Sequence, residues 1–170
     1  MPPARSSLAL VLLSVSLALG CSEGVVQDEE PVVTVRADLT LTGTATASSI
    51  QGTGLEAAKA VDGNTATRWS SQFSDPQWLT VDLGAIHSIN RVVFTWQNSY
   101  AKDYLVRVSN DNAAWTTIKS VTNSDGGVDD LTGLSGSGRY VQMYGTRRAT
   151  QYGYSMFEMQ IAAPDATGGA

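Results

Sequence analysis

The sequence predicts an all-β domain, a sandwich or barrel of short strands, and three observations carry that reading. Leu79, Val81 and Leu83 alternate with Trp78, Thr80 and Asp82, the period of two that a half-buried strand requires. The run INRVVFTW at 89–96 is β-branched and aromatic, as suits a buried strand. The segments 103–109, 115–121, 139–144 and 156–162 repeat the alternation, separated by clusters of Gly, Asn, Asp and Ser. No long segment shows a helical period and no internal repeat is visible.

Taken in order, residues 1–20 read as an export signal. Arg5 supplies the positive start, and LALVLLSVSLAL at 8–19 is an apolar run too short to span a membrane comfortably. The run LALGC ends at Cys21 and is similar to a bacterial lipoprotein signal, in which the Cys is lipidated and becomes the new N-terminus. The plainer alternative is a secretory signal with a chance Cys; a lone Cys at that one position favours the lipoprotein. Ser22, and not Asp, follows it, as in lipoproteins sent on to the outer membrane. Residues 21–38 are acidic and polar, with Asp28, Glu29, Glu30 and Pro31 together, and read as a tether. The strand pattern occupies 39–163, and 164–170 is a frayed, disordered tail.

The stretch AAKAVDGNTATRWSS at 57–71 is the densest in chemistry. Asp62-Gly63 is a turn signal, because Gly adopts positive φ freely and Asp bonds its own backbone. Asn64, Thr65 and Thr67 follow, crowding oxygens into a curved segment of the kind that hard cations such as calcium use. Arg68 and Trp69 then stand side by side, a hydrogen-bonding fork beside a large ring.

Composition narrows the function. The chain has 170 residues, 16% charged and 42% hydrophobic, as a folded domain of ordinary size does. A formal net charge of −5 argues against nucleic acid, which needs a basic face. One Cys and one His exclude an intrachain disulfide and a zinc site built on Cys and His. After the export signal no apolar run approaches the ~20 residues of a spanning helix, so the membrane is a partner only through the lipid anchor.

Four stretches, in order, carry a family resemblance: AVDGNTATRWSS (60–71), DPQWLTVDLG (75–84), INRVVFTWQNSYAKDYLVRVSND (89–111) and GRYVQMYGTRRATQYGYSMFEMQI (138–161). Together they resemble the discoidin or coagulation-factor type C domain, and most closely the family 32 carbohydrate-binding modules attached to bacterial β-1,3-glucanases and chitosanases. The resemblance implies an antiparallel β-sandwich of jelly-roll, galactose-binding-like fold, and the domain is expected to be monomeric. It also implies a structural calcium held by the Lys59 carbonyl, the Asp62 carboxylate, the Asn64 carbonyl, Thr67, the Phe157 carbonyl and the Glu158 carboxylate. Glu158 alternates with Phe157, Met159 and Ile161, so the strand needs a reason to turn an acid toward a loop; the alternative is an acid on the solvent face.

Relatives bind a poly- or oligosaccharide in a shallow depression between loops. A pyranose presents an apolar face and a rim of hydroxyls, so the site needs a stacking ring and planar hydrogen-bonding groups. By position these are Arg68 for the hydroxyls, Phe73 or Tyr152 for stacking, and Gln97 to donate and accept. Tyr154 lies on the same loop, although its neighbours alternate like the start of a strand and would pack it inside. Trp69, Trp96 and Trp115 are assigned to the core. Gln97 stands where chitosan-binding relatives tend to carry Glu, and Tyr152 where Trp is common. The neutral Gln favours a neutral glucan or galactoside over a cationic amino sugar.

Two other functions compete. Glycosidases need facing carboxylates, but Asp82 ends a strand, Asp129 and Asp130 lie in a Gly-rich loop, and His87 falls in a polar turn. No G-x-S-x-G motif surrounds a nucleophile, so no enzyme is expected. Phospholipid-binding relatives expose apolar loop tips, whereas the tips here read QGTG, NSDGG and GSG. Adhesion to another protein through the same loops is the alternative function. The expected protein is thus an exported, lipid-anchored carbohydrate-binding module of the outer membrane or cell surface, without chemistry of its own.

Overall fold

The computed structural model describes residues 38–164; the export signal, Cys21, nearly all of the tether and all but the first residue of the tail lie outside them. The alternating segments pair into two five-stranded sheets, every pairing antiparallel. In chain order the strands are β1 (Leu39–Leu41), β2 (Thr44–Ala47), β3 (Trp69–Ser70), β4 (Gln77–Ile89), β5 (Arg91–Trp96), β6 (Ala101–Ser109), β7 (Thr116–Val121), β8 (Val128–Leu131), β9 (Gly136–Arg148) and β10 (Ser155–Ala163). One sheet runs β1-β10-β5-β8, with β3 also on β10; the other runs β2-β4-β9-β6-β7. A 3-10 turn at Ala57–Ala60 is the one helical element among the described residues. The fold is the expected antiparallel sandwich.

Between the sheets the inward residues of each strand meet, and burial of this apolar surface drives the fold. Leu79 and Val81 of β4, Val106 of β6 and Met143 of β9 face Val92 and Phe94 of β5 and Met156 and Ile161 of β10, all at most 2% exposed. Phe94 lies 5.6 Å from Trp96 and 5.3 Å, edge on, from Tyr104. Trp69 is fully buried and its indole N–H donates to the Ser49 carbonyl at 3.0 Å.

Four expectations need correction. The run 89–96 is not one strand: Ile89 ends β4, and Asn90 carries the chain into β5 of the other sheet. His87 is not in a turn, because β4 bulges after Asp82 and resumes pairing at His87 opposite Gly138. Asp129 and Asp130 form strand β8 and not a loop; β8 contains only Val and Leu beside them, too short for the alternation to show. Trp115 is not in the core. It precedes edge strand β7, whose residues are exposed or half-buried, and its ring lies 5.4 Å from the Arg107 guanidinium on the outer side of the sheet.

Asp129 has a structural role. One of its oxygens accepts from the Trp96 indole at 2.9 Å, the Tyr104 hydroxyl at 2.7 Å and the Ser124 hydroxyl at 2.9 Å. Burial, and then this bond, raise the Tyr104 phenol far above its ordinary value. Removing the carboxylate strands the donors of three buried residues, Trp96, Tyr104 and Ser124, which costs about 3 kcal/mol by the usual penalty for such groups. Asp129→Ala should therefore lower the unfolding free energy by that amount, read as a lower urea midpoint with an unchanged denaturant slope. A loss below about 0.5 kcal/mol would remove Asp129 from this role.

Candidate functional site

At one end of the sandwich two loops are zipped together, 71–76 after β3 and 149–154 before β10. The Ser71 amide donates to the Tyr154 carbonyl at 2.9 Å, and the Tyr154 amide donates to the Ser71 hydroxyl at 2.9 Å. Gly153 is required at this seam, since a Cβ there would lie 2.4 Å from the Ser71 carbonyl oxygen. Asp75 fastens the rest: it accepts from the Tyr154 hydroxyl and, at 3.2 Å, from Arg148 Nε. Arg148 also donates to the carbonyls of Gln151 at 3.2 Å and Tyr152 at 3.4 Å, so the ion pair fixes the path of the aromatic loop.

This clamp presents two rings to solvent. Phe73 is 48% and Tyr152 52% exposed, and they meet edge to face with centroids 5.7 Å apart. Arg68 and Gln97 flank β10 from opposite sides. Arg68 Nε donates to the Ser70 hydroxyl at 3.3 Å, which bonds the Ser155 hydroxyl at 2.7 Å. The Gln97 amide donates to the Ser155 carbonyl at 3.0 Å, and its side-chain oxygen accepts from Ser99 N–H at 3.0 Å. Among the described residues no carboxylate pairs with Arg68.

Of the five expected sugar contacts, Tyr154 is overturned. It is fully buried, its ring wedged against Gly145 and its hydroxyl spent on Asp75. Burial, with Asp75, raises its phenol far above the ordinary value. The residues missed from sequence are the supports, Asp75, Arg148, Ser70 and Ser155. Only the DPQW run hinted at Asp75; a Ser or Arg in a polar loop carries no sign of its partner.

The second group of expected residues converges where β10 passes the Asp62-Gly63 turn, in which Gly63 has φ +73°. The Asn64 amide donates both to Asp62 at 3.0 Å and to Glu158 at 2.9 Å. The single Thr67 hydroxyl hydrogen has three acceptors within reach, the two Asp62 oxygens at 3.0 and 2.8 Å and the Asn64 carbonyl at 2.9 Å. Lys59 enters through its ammonium, 3.7 Å from Asp62, and Phe157 stands beside Glu158 at a bulge in β10. Glu158 is 4% exposed and has no cationic partner among the described residues. A cavity of about 290 Å³ opens beside Asp62 and Glu158. No cluster of three His, Cys, Asp or Glu occurs among the described residues, so a metal here would take two carboxylates and neutral oxygens. That donor set fits a hard cation, and a buried carboxylate without a counter-charge gives such a cation something to neutralise.

Burial raises the Glu158 carboxyl above its ordinary 4.5, and neighbouring Asp62 adds to the rise. Asp62 lies below its ordinary value, chiefly because Thr67 donates to it. Glu158 therefore holds its proton more tightly folded than unfolded. Its contribution to stability is complete below 4.5 and is lost as pH rises through the raised folded value. Glu158→Gln keeps an acceptor for the Asn64 amide. In a chelator, denaturant titration should find this variant equal to the wild type near pH 4 and more stable near pH 7. Equal stability at both would show that the Glu158 charge is not penalised.

Residues 44–159 match the F5/8 type C domain family. Among solved structures, the chain is similar to chitosan-binding module 1 of a chitosanase/glucanase from Paenibacillus sp. IK-5, at 46% identity and a TM-score of 0.69, covering 74% of this chain and 98% of that one. Module 2 of the same enzyme, in complex with chitotriose, is 44% identical with a TM-score of 0.68, covering 71% and 96%. The family 32 module of AlyQ, in complex with 4,5-unsaturated mannuronic acid, is 26% identical with a TM-score of 0.63, covering 72% and 97%. A polysaccharide lyase 8 family protein, HylA, from Enterococcus faecalis is 39% identical over 69 residues, 41% of this chain but 5% of that protein. The chain belongs to the F5/8 type C, or discoidin, domain family.

Proposed function

We propose that the protein is a non-catalytic carbohydrate-binding module that takes a neutral polysaccharide, a glucan or galactoside, on the Phe73–Tyr152 face. The observation that carries this reading is the pair of exposed rings held rigid by the Asp75 clamp. An exposed aromatic pair on a loop costs apolar exposure unless something covers it. A pyranose ring stacks on such a surface while Arg68 and Gln97 reach its hydroxyls. The carbohydrate-binding modules to which the chain is similar support the same reading. Those from Paenibacillus raise chitosan as the competing ligand. Gln97 is neutral and Asp75 is already engaged by Arg148 and Tyr154, which leaves a cationic sugar without a carboxylate from either.

A structural calcium between Asp62 and Glu158 belongs to this proposal. Asp62, Asn64, Thr67 and Glu158, with the carbonyls of Lys59 and Phe157, would hold it. It would supply the positive charge that Glu158 lacks, and by binding the folded state alone it would add stability. The LALGC run supports export and lipidation at Cys21, with display on the outer membrane or cell surface.

Affinity for one sugar unit should be modest, a Kd of about 0.01–1 mM. The protein is titrated with laminarin, galactosides and chitosan oligosaccharides, in calcium and then in chelator. Saturable binding to a neutral class is expected, weakened at least about tenfold (about 1.4 kcal/mol) in Phe73→Ala and in Tyr152→Ala. The chelator should lower the melting temperature and, at temperatures where the protein stays folded, leave sugar affinity unchanged. Binding to no glycan by folded protein would overturn the reading and favour protein adhesion through these loops.

The anchor is tested in cells. Cys21→Ser should move the protein from the membrane fraction to the soluble fraction; retention in the membrane would exclude lipidation at Cys21.

A further inference from the structure

Of the six arginines in the described residues, four are paired with acids: Arg91 with Asp130, Arg139 with Asp82, Arg147 with Asp103 and Arg148 with Asp75. Arg68 and Arg107 are the two left. Arg68 belongs to the sugar face. Arg107 lies elsewhere, on the outer side of the β2-β4-β9-β6-β7 sheet, and takes no part in that face.

Arg107 is unusually well fixed. Its guanidinium sits 3.9 Å from the Tyr144 ring centroid and 5.4 Å from that of Trp115. Nε and Nη2 both donate to the Gln142 side-chain oxygen, Nε at 2.9 Å. Gln142, 4% exposed, is anchored in turn by donating to the Thr80 hydroxyl at 2.8 Å. Two aromatic planes and a buried amide therefore orient one side of the fork. The other end, Nη1 with the remaining Nη2 hydrogen, meets no acceptor among the described residues. Partial burial lowers the guanidinium from its ordinary value, so the charge is held at a cost that an anion would relieve.

The surroundings are aromatic. In register, Trp78 of β4 stands opposite Tyr144 of β9, which stands opposite Leu105 of β6; one row over, Thr80, Gln142 and Arg107 align. Trp78, Leu105, Tyr140, Tyr144 and Trp115 are each partly exposed. The acids on these strands are already occupied, Asp82 by Arg139 and Asp103 by Arg147, so neither competes for Arg107.

We propose that this sheet face is a second glycan-binding site, separate from the loop face, and that it takes an acidic sugar, a uronate. The free end of the Arg107 fork matches a carboxylate in bidentate geometry. The neighbouring indole of Trp115 offers the flat apolar surface that a pyranose C–H face covers. Charge complementarity selects a uronate over the neutral sugar of the loop face, and the two sites together let one module engage chains of mixed composition.

The test uses the full chain, an oligogalacturonate hexamer, and its methyl ester as the neutral control. Nitrogen-edited NMR of the wild type should show saturable shifts at the Trp115 indole and the Arg107 Nε–H, a readout that needs no variant to fold. Arg107→Gln and Trp115→Ala should each weaken uronate binding at least tenfold while leaving neutral-glycan binding at the loop face within twofold. Phe73→Ala with Tyr152→Ala should do the reverse. The proposal is overturned by the absence of saturable shifts, by equal affinity for the methyl ester, or by loss of uronate binding in the loop variant alone. A loop face that fails with every neutral glycan leaves these outcomes readable, since they are scored at Trp115 and Arg107.

Discussion

Strand β10 carries the main constraint on this fold, because it must satisfy several neighbours at once. It pairs with β5 along one edge and with β1 and β3 along the other. Met156, Met159 and Ile161 all reach the core, which a strict period of two does not allow. The bulge between Met156 and Glu158 resolves this by changing parity, and the Glu158 carboxylate meets the Asn64 amide beside the Asp62 turn. The same strand begins at Ser155, where the Arg68 and Gln97 sides of the proposed sugar face are joined through its hydroxyl and carbonyl. The proposed metal site and the proposed sugar face thus depend on one register.

How much of this was legible follows from the range of the interactions. Alternation over six or more residues marked β4, β6 and β9, because burial repeats every second residue and leaves its mark on composition. Strand β8 did not show, since it has four residues and two of them are acids. The bulges in β4 and β10 were invisible for a related reason: a parity change looks like noise in a short apolar run. Arg68, Phe73, Gln97 and Tyr152 were named as candidates by their positions in the family resemblance, and of these Phe73 and Tyr152 are the exposed rings. Asp75 and Arg148 were not, because their partners lie 73 residues apart in the chain. Tyr154 was misplaced among the contacts for the same reason, its hydroxyl being claimed by Asp75 across 79 residues.

The clamp at Asp75 bears on affinity as well as position. A shallow face that touches one or two sugar rings gains little area, so ordering a loop on binding would consume much of the gain. Here the loop is already tied through Ser71, Gly153, Asp75 and Arg148 before any ligand arrives. Under the proposed anchoring, modest affinity per site would become useful through multiplicity, because an anchored population would meet a repeating polymer at many points.

Net charge gives a misleading picture of these surfaces. The chain totals −5, which alone suggests that it repels acidic polymers. Yet Asp75, Asp82, Asp103 and Asp130 are each spent on an arginine that ties strands or loops together. The two arginines without such partners are Arg68 and Arg107, and Arg107 lies between the rings of Tyr144 and Trp115. Each guanidinium is fixed by neutral side chains, Ser70 for one and Gln142 for the other. Because ionic screening confines surface charges to about 8–10 Å at physiological salt, a ligand at either place responds to the local fork and not to the distant acids. An acidic domain can therefore carry two locally cationic surfaces, and their different supports would give them the different ligands proposed for each.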